Sequence, residues 1–106
     1  MIPTSFKANE EINNLIERLR IKLNLSRGDL IREAIERYVK TDICLDGRGE
    51  GKKIISFRIP QELLEEVDRK RQKCRQYRSE VYRASILFLK SELEREGRGN
   101  VLCREI

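Results

Sequence analysis

Two short stretches of this chain, Ser5-Phe6-Lys7 and Ser56-Phe57-Arg58, alternate hydrogen-bonding side chains with an aromatic ring. Serine hydroxyls both donate and accept, whereas lysine and arginine only donate and carry charge. In an extended segment the donors would share one face and the ring would take the other. The chemistry on offer is recognition of an acceptor-rich surface. Nothing points to bond making: the sequence has no histidine, no phosphate loop or nucleophile elbow, and no recognisable carboxylate pair. A lone cysteine nucleophile would lack a base. The chain is therefore expected not to be an enzyme, and no cofactor, metal or small-molecule substrate is expected.

The two stretches lie fifty-one residues apart, and the offset holds without a gap. It carries Ser5, Phe6, Glu11, Arg18, Arg20, Lys22, Arg27, Arg32 and Ile35 onto Ser56, Phe57, Glu62, Arg69, Arg71, Lys73, Arg78, Arg83 and Ile86. Between the identities apolar residues often meet apolar ones, as Ile12 meets Leu63, Ile16 meets Val67 and Leu30 meets Val81. Such repetition implies two copies of one supersecondary unit, and a unit this small buries its apolar face against a neighbour. With 106 residues, the chain has room for two half-domains sharing one core.

Each copy divides into the same three elements. A short alternating stretch comes first, Thr4 to Ala8 or Ile55 to Ile59, with Phe6 and Phe57 on one face. A helix follows: Ile12, Leu15, Ile16, Leu19 and Leu23 recur at three- and four-residue spacing. Its counterpart has Pro60 in its first turn and a thinner stripe of Leu63, Leu64, Val67 and Cys74, interrupted by the basic run from Arg69 to Lys73. The second helix of copy one is capped by Ser26, with Asp29 in its first turn. Leu30, Ile31, Ala34, Ile35, Tyr38 and Val39 form its buried face. Val81, Tyr82, Ser85, Ile86 and Leu89 take the matching places in copy two. There the cap position is Tyr77, a poor cap, so Ser79 is a candidate start. Between the copies, residues 41–53 contain Gly47, Gly49 and Gly51 and are expected to be a flexible linker, able to span about 43–47 Å.

A strand followed by two helices leaves its strand unpaired. If the two strands pair antiparallel, Phe6 and Phe57 turn inward onto four helices, and Ser5, Lys7, Ser56 and Arg58 face outward. The expected fold is α+β and mostly helical, a two-stranded ribbon over a four-helix core. A ribbon of this width fits the major groove of B-DNA, where arginine and lysine donate to guanine O6 and N7 and serine bonds several base edges. Composition agrees. Charged residues make up 39% and the net charge is +5, which favours an anionic partner, nucleic acid ahead of acidic lipid. No apolar run approaches the ~20 residues of a membrane span, and no secretory signal is evident, so an intracellular location and no membrane partner are expected. Cys44, Cys74 and Cys103 have no metal-ligand spacing. Cys74 reads as a small core residue and the others as incidental thiols.

Ile55-Ser56-Phe57-Arg58-Ile59-Pro60, then Leu64 and Val67, then Arg78-Ser79-Glu80-Val81-Tyr82-Arg83, resembles the ribbon-helix-helix DNA-binding family. The first copy departs from the pattern with Asn9 in place of the proline and Gly28 in place of the serine. The two copies cover roughly residues 4–40 and 54–96, leaving 97–106 as a C-terminal tail. Family members are usually dimers of one unit, so the resemblance implies a covalent pseudo-dimer, similar to tandem regulators from archaeal viruses. It further implies that Ser5, Lys7, Ser56 and Arg58 contact bases, with Lys53 a further candidate. Phosphate contacts would come from the start of each second helix, Ser26, Arg27 and Gly28 in one copy, Arg78 and Ser79 in the other. The implied function is a sequence-specific regulator of transcription binding double-stranded DNA. The alternatives are an antitoxin whose tail binds a toxin and an architectural protein that coats DNA. Arg18, Arg20, Arg32 and their counterparts are expected to be surface ion-pair formers. Leu87, Phe88 and Leu93 either complete the core or form a patch for self-association, the latter favoured because copy one has Glu36 and Arg37 opposite the first two.

Overall fold

Seven-residue strands β1 (Ile2–Ala8) and β2 (Lys53–Ile59) pair antiparallel, with Ser5 opposite Ser56, Phe6 opposite Ile55 and Thr4 opposite Phe57. The structure, a computed structural model, describes residues 1–49 and 51–105, with side chains in the last helix as far as Arg95. Strand alternation sends Phe6, Ala8, Ile55, Phe57 and Ile59 into the core. β1 leads into helices α1 (Glu10–Leu23) and α2 (Arg27–Val39), and β2 into α3 (Gln61–Cys74) and α4 (Arg78–Glu105). α1 starts where the Asn9 side chain accepts the Ile12 N–H at 2.8 Å, a side-chain cap that occupies one of the orphan donors of the first turn. α1 and α3 both end on a residue in the left-handed region, Asn24 (φ 55°) and Arg75 (φ 56°). These positions are fifty-one residues apart. Each is followed by a backbone bond back into the last turn, from Leu25 N to Arg20 O and from Gln76 N to Arg71 O, both 2.8 Å. That closure orients the second helix of each unit.

The core lies beneath the ribbon. Tyr82 stacks edge-on against Phe57 at 5.1 Å between ring centroids and tilts against Phe6 at 5.6 Å. Its hydroxyl is satisfied by Thr4 Oγ1 at 3.2 Å. On the opposite side of the core Phe88 packs on Tyr38 at 5.7 Å. Phe88 and Leu93 are buried and Leu87 alone of the expected association patch is exposed, at 36%. The patch is therefore part of the core: α4 turns Phe88 and Leu93 inward.

Three further expectations are corrected. The segment between Val39 and Lys53 is not a free tether. Lys70 Nζ donates to Thr41 O at 2.6 Å, Leu45 N–H to the Tyr38 hydroxyl at 2.9 Å, Gln76 Nε2 to Leu45 O at 2.6 Å, and Arg83 Nε to Gly47 O at 2.6 Å. Cys44 and Cys74 form a disulfide, so neither is an isolated thiol and Cys74 is not simply core filling. Two of the glycines provide close approach in place of flexibility. A Cβ on Gly47 would lie 1.9 Å from Glu80 O, and one on Gly51 would lie 2.1 Å from the Ala8 carbonyl carbon. At the chain end, α4 continues through Glu105, so the backbone of residues 97–105, expected as a C-terminal tail, is helical. The Val101, Leu102 and Cys103 side chains, and Ile106, lie outside the described residues.

Candidate nucleic-acid interface

The outward face of the ribbon carries Pro3, Ser5 and Lys7 from β1 and Ile54, Ser56 and Arg58 from β2. Ser5 and Ser56 sit opposite each other at the centre, flanked by the cross-strand pairs Lys7–Ile54 and Pro3–Arg58. Ser5, Lys7, Ser56 and Arg58 are all exposed, and a shallow depression of about 500 Å³ runs over Pro3, Ser5, Ser56 and Arg58. The four residues expected to act together thus share one solvent-facing surface. Lys53 does not join them. It pairs with Ala8, and strand alternation puts it on the side of Ile55 and Phe57, away from Ser56 and Arg58.

Both ends of this face are held from below by matching arginines. Arg32 Nη1 donates to Arg58 O at 2.8 Å, and Arg83 Nη1 donates to Lys7 O at 2.8 Å. The two bonds are equivalents under the fifty-one-residue offset, each running from the second helix of one unit to the strand of the other. Arg83 is only 8% exposed and spends its Nε on Gly47. Arg32 also pairs with Asp29. The expectation that these arginines were mere surface ion-pair formers is corrected: they fix the backbone beneath Lys7 and Arg58. A lysine could not match the planar fork that lets Arg83 hold two carbonyls at once. Identity at this pair of positions was the available sequence signal.

The starts of α2 and α4 lie one turn before those arginines, so they flank the two ends of the ribbon. At α2 the Ser26 hydroxyl accepts the Asp29 N–H at 3.2 Å. Gly28 leaves space for Arg32, whose Nη1 would stand 3.2 Å from an added Cβ. α4 begins at Arg78, not at Ser79. Tyr77 takes the cap place, and its N–H donates to the Glu80 carboxylate at 3.0 Å, one half of a capping box without a capping hydroxyl. Tyr77 itself is 74% exposed.

Arg27 and Arg78 are each engaged by a carboxylate one helix earlier. Glu17 accepts from Arg27 at 2.7 Å and from Arg20 at 2.5 Å. Asp68 accepts from Arg78 at 2.8 and 2.7 Å and from Arg71 at 3.0 Å. The Arg78 guanidinium, helped by Arg71, holds the Asp68 carboxyl down at about 2, and Arg20 and Arg27 lower that of Glu17. Arg27 and Arg78 therefore stay partly exposed but are pre-oriented, with donors left over for a second anion. Among the described residues no group of three or more acidic, cysteine or histidine side chains could hold a metal, and no helix is long and apolar enough to cross a membrane.

Residues 2–42, the span of β1, α1 and α2, match the family of ribbon-helix-helix proteins described as the copG family. The chain belongs to the ribbon-helix-helix family. An uncharacterized protein, ORF59b, of Acidianus filamentous virus 1 (isolate United States/Yellowstone) is 42% identical over 46 residues, which is 43% of this chain and 78% of that protein. No solved structure matches at a significant level. Ribbon-helix-helix proteins are typically DNA-binding regulators of transcription or antitoxins and are generally not enzymes.

Proposed function

We propose that this chain is a sequence-specific regulator of transcription that inserts its β1–β2 ribbon into the major groove of double-stranded DNA. On this reading residues 4–40 and 54–96 are two ribbon-helix-helix units joined by residues 41–53, acting together as an intramolecular pseudo-dimer inside the cell. The observation that carries the proposal is the strand register, which puts two serines, a lysine and an arginine side by side on an exposed face. A two-stranded ribbon fits the major groove, and these side chains match the acceptors there.

The flanking helix starts supply the phosphate contacts in this reading. Arg27 with Ser26 and Gly28, and Arg78 with Ser79, sit where free backbone N–H groups favour an anion. Those contacts set register on the duplex without selecting sequence, whereas the ribbon selects. Selection from a random duplex pool at near-physiological salt tests the assignment. The wild type is expected to enrich one motif, and Lys7→Ala with Arg58→Ala is expected to lose it. Retention of DNA without a motif would move the chain to an architectural role, with the steep salt dependence of phosphate-only binding.

A further inference from the structure

The ribbon face is not the same at its two ends. Under the offset that relates the units, Lys7 corresponds to Arg58 and Ile54 to Pro3, and the register sets Ile54 opposite Lys7 and Pro3 opposite Arg58. One end therefore offers an ammonium beside a branched aliphatic chain, the other a guanidinium beside a short, rigid ring. Ile54 is 66% exposed and is the one large exposed hydrophobic in either strand among the described residues. Its inward neighbour Ile55 is 1% exposed, so the core already has its β-branched residue and gains nothing from Ile54. An aliphatic side chain standing in water on the outer face becomes favourable when an apolar group covers it. In the major groove that group is the C5 methyl of thymine.

We infer that Ile54 reads a thymine methyl beside the base taken by Lys7, and thereby fixes one orientation of the chain on a non-palindromic site. The inference rests on the major-groove reading proposed above. Pro3, shorter and tied back to the backbone, reaches less far and leaves the Arg58 end to guanine, which the guanidinium fork takes through O6 and N7. Two half-sites of different composition follow, with the thymine on the Lys7 side only.

The test replaces each thymine of the selected duplex in turn by deoxyuridine, which removes the methyl and leaves the hydrogen-bonding edge intact. At one position, on one side of the centre, the wild type is expected to bind about fourfold more weakly, the effect of one uncovered methyl. Ile54→Ala is expected to bind the thymine duplex weaker by a similar factor and to ignore deoxyuridine there, a non-additive pair. Ile54→Val, which keeps a branched chain, should still sense the substitution. Indifference of the wild type at every thymine, equal sensitivity on both sides of the centre, or undiminished sensitivity in Ile54→Ala would each overturn the inference. If the motif is still lost in the Lys7→Ala, Arg58→Ala variant, the major-groove reading survives that failure. If the wild type selects no motif, both fall.

Discussion

Two grooves of nearly equal volume, about 250 and about 260 Å³, lie at matching places in the two units and are closed by opposite chemistry. The first runs between α1 and α4 over Leu15, Leu19 and Leu93. The second runs between α3 and the end of α2 over Glu66, Lys70 and Asp42, the positions that the offset assigns to those three leucines. α4 continues as helix past Leu93, so its side chains can cover an apolar floor. α2 must stop at Val39 for the chain to return to β2. A helix end leaves carbonyls unpaired, and a cation there is favourable. Lys70, only 4% exposed, places its cation just past that end: it donates to Thr41 O, two residues beyond Val39, and lies 4.5 Å from the centre of the Tyr38 ring. Ribbon, turn and helix pairing thus match under the fifty-one-residue offset, while the connection from α2 to β2 lines one groove with polar residues.

If the two units contribute equally to the core, their aromatic anchors should be equally costly to remove. Phe6→Ala and Phe57→Ala are each expected to lose about 3–5 kcal/mol of stability, as buried aromatics do, measured by denaturant unfolding. A large inequality would show that one unit folds around the other. The disulfide has no counterpart under the offset, which sets Leu23 of α1 against Cys74 and Arg95 of α4 against Cys44. Closing a loop of 30 residues between Cys44 and Cys74 should stabilise by roughly 3–4 kcal/mol on the chain-entropy account. Reductant should lower the melting temperature of the wild type and leave Cys44→Ser, Cys74→Ser unmoved. Equal melting of wild type and double variant without reductant would show that the bond adds nothing.

What the sequence made legible is what the offset repeats. Phe6 and Phe57 inward, Ser5, Lys7, Ser56 and Arg58 outward, and two helices per strand all follow from alternation and periodicity. The connection is not legible in sequence because glycine has two uses that look alike there, freedom and close approach. Gly47 and Gly51 serve the second, and only the positions of Glu80 and Ala8 reveal it. The burial of Phe88 and Leu93 differs from the expectation because Glu36 and Arg37, opposite Leu87 and Phe88 under the offset, point to an exposed face that α4 does not present there. The role of the arginines under the ribbon is not legible in sequence because a helical arginine near a glutamate is usually a surface pair. The identity of Arg32 and Arg83 across the offset is the one sequence feature that agrees with their shared role.

Gly47→Ala perturbs the connection where it touches α4. Its Cβ would meet the α4 backbone at Glu80 O, and no flexible side chain stands there to give way. The connection must shift, at about 1–3 kcal/mol as for other overpacked sites, and the Arg83 bond to Gly47 O shifts with it. Because Arg83 also holds Lys7 O, on the proposed DNA-reading role Gly47→Ala should weaken binding at the Lys7 half-site more than at the Arg58 half-site. Equal loss at both would separate the connection from the ribbon.

The smallest effect concerns Asp68 and Glu17, which clasp Arg78 and Arg27 in matching places. The Asp68 carboxyl is held at about 2, below its ordinary 3.8. A depressed carboxylate stabilises the fold fully above its unfolded value, and the contribution is lost as pH falls from 3.8 through about 2. The shift would correspond to more than 2 kcal/mol if unscreened. Arg78 is half exposed, so solvent screening leaves about 1 kcal/mol. Asp68→Asn should therefore lower stability by that amount at neutral pH and flatten the acid limb of the stability curve. Glu17→Gln should do the same in direction. Chemical unfolding followed from pH 7 downward decides it: an unchanged acid limb in Asp68→Asn would mean that the clasp orients Arg78 without stabilising the fold.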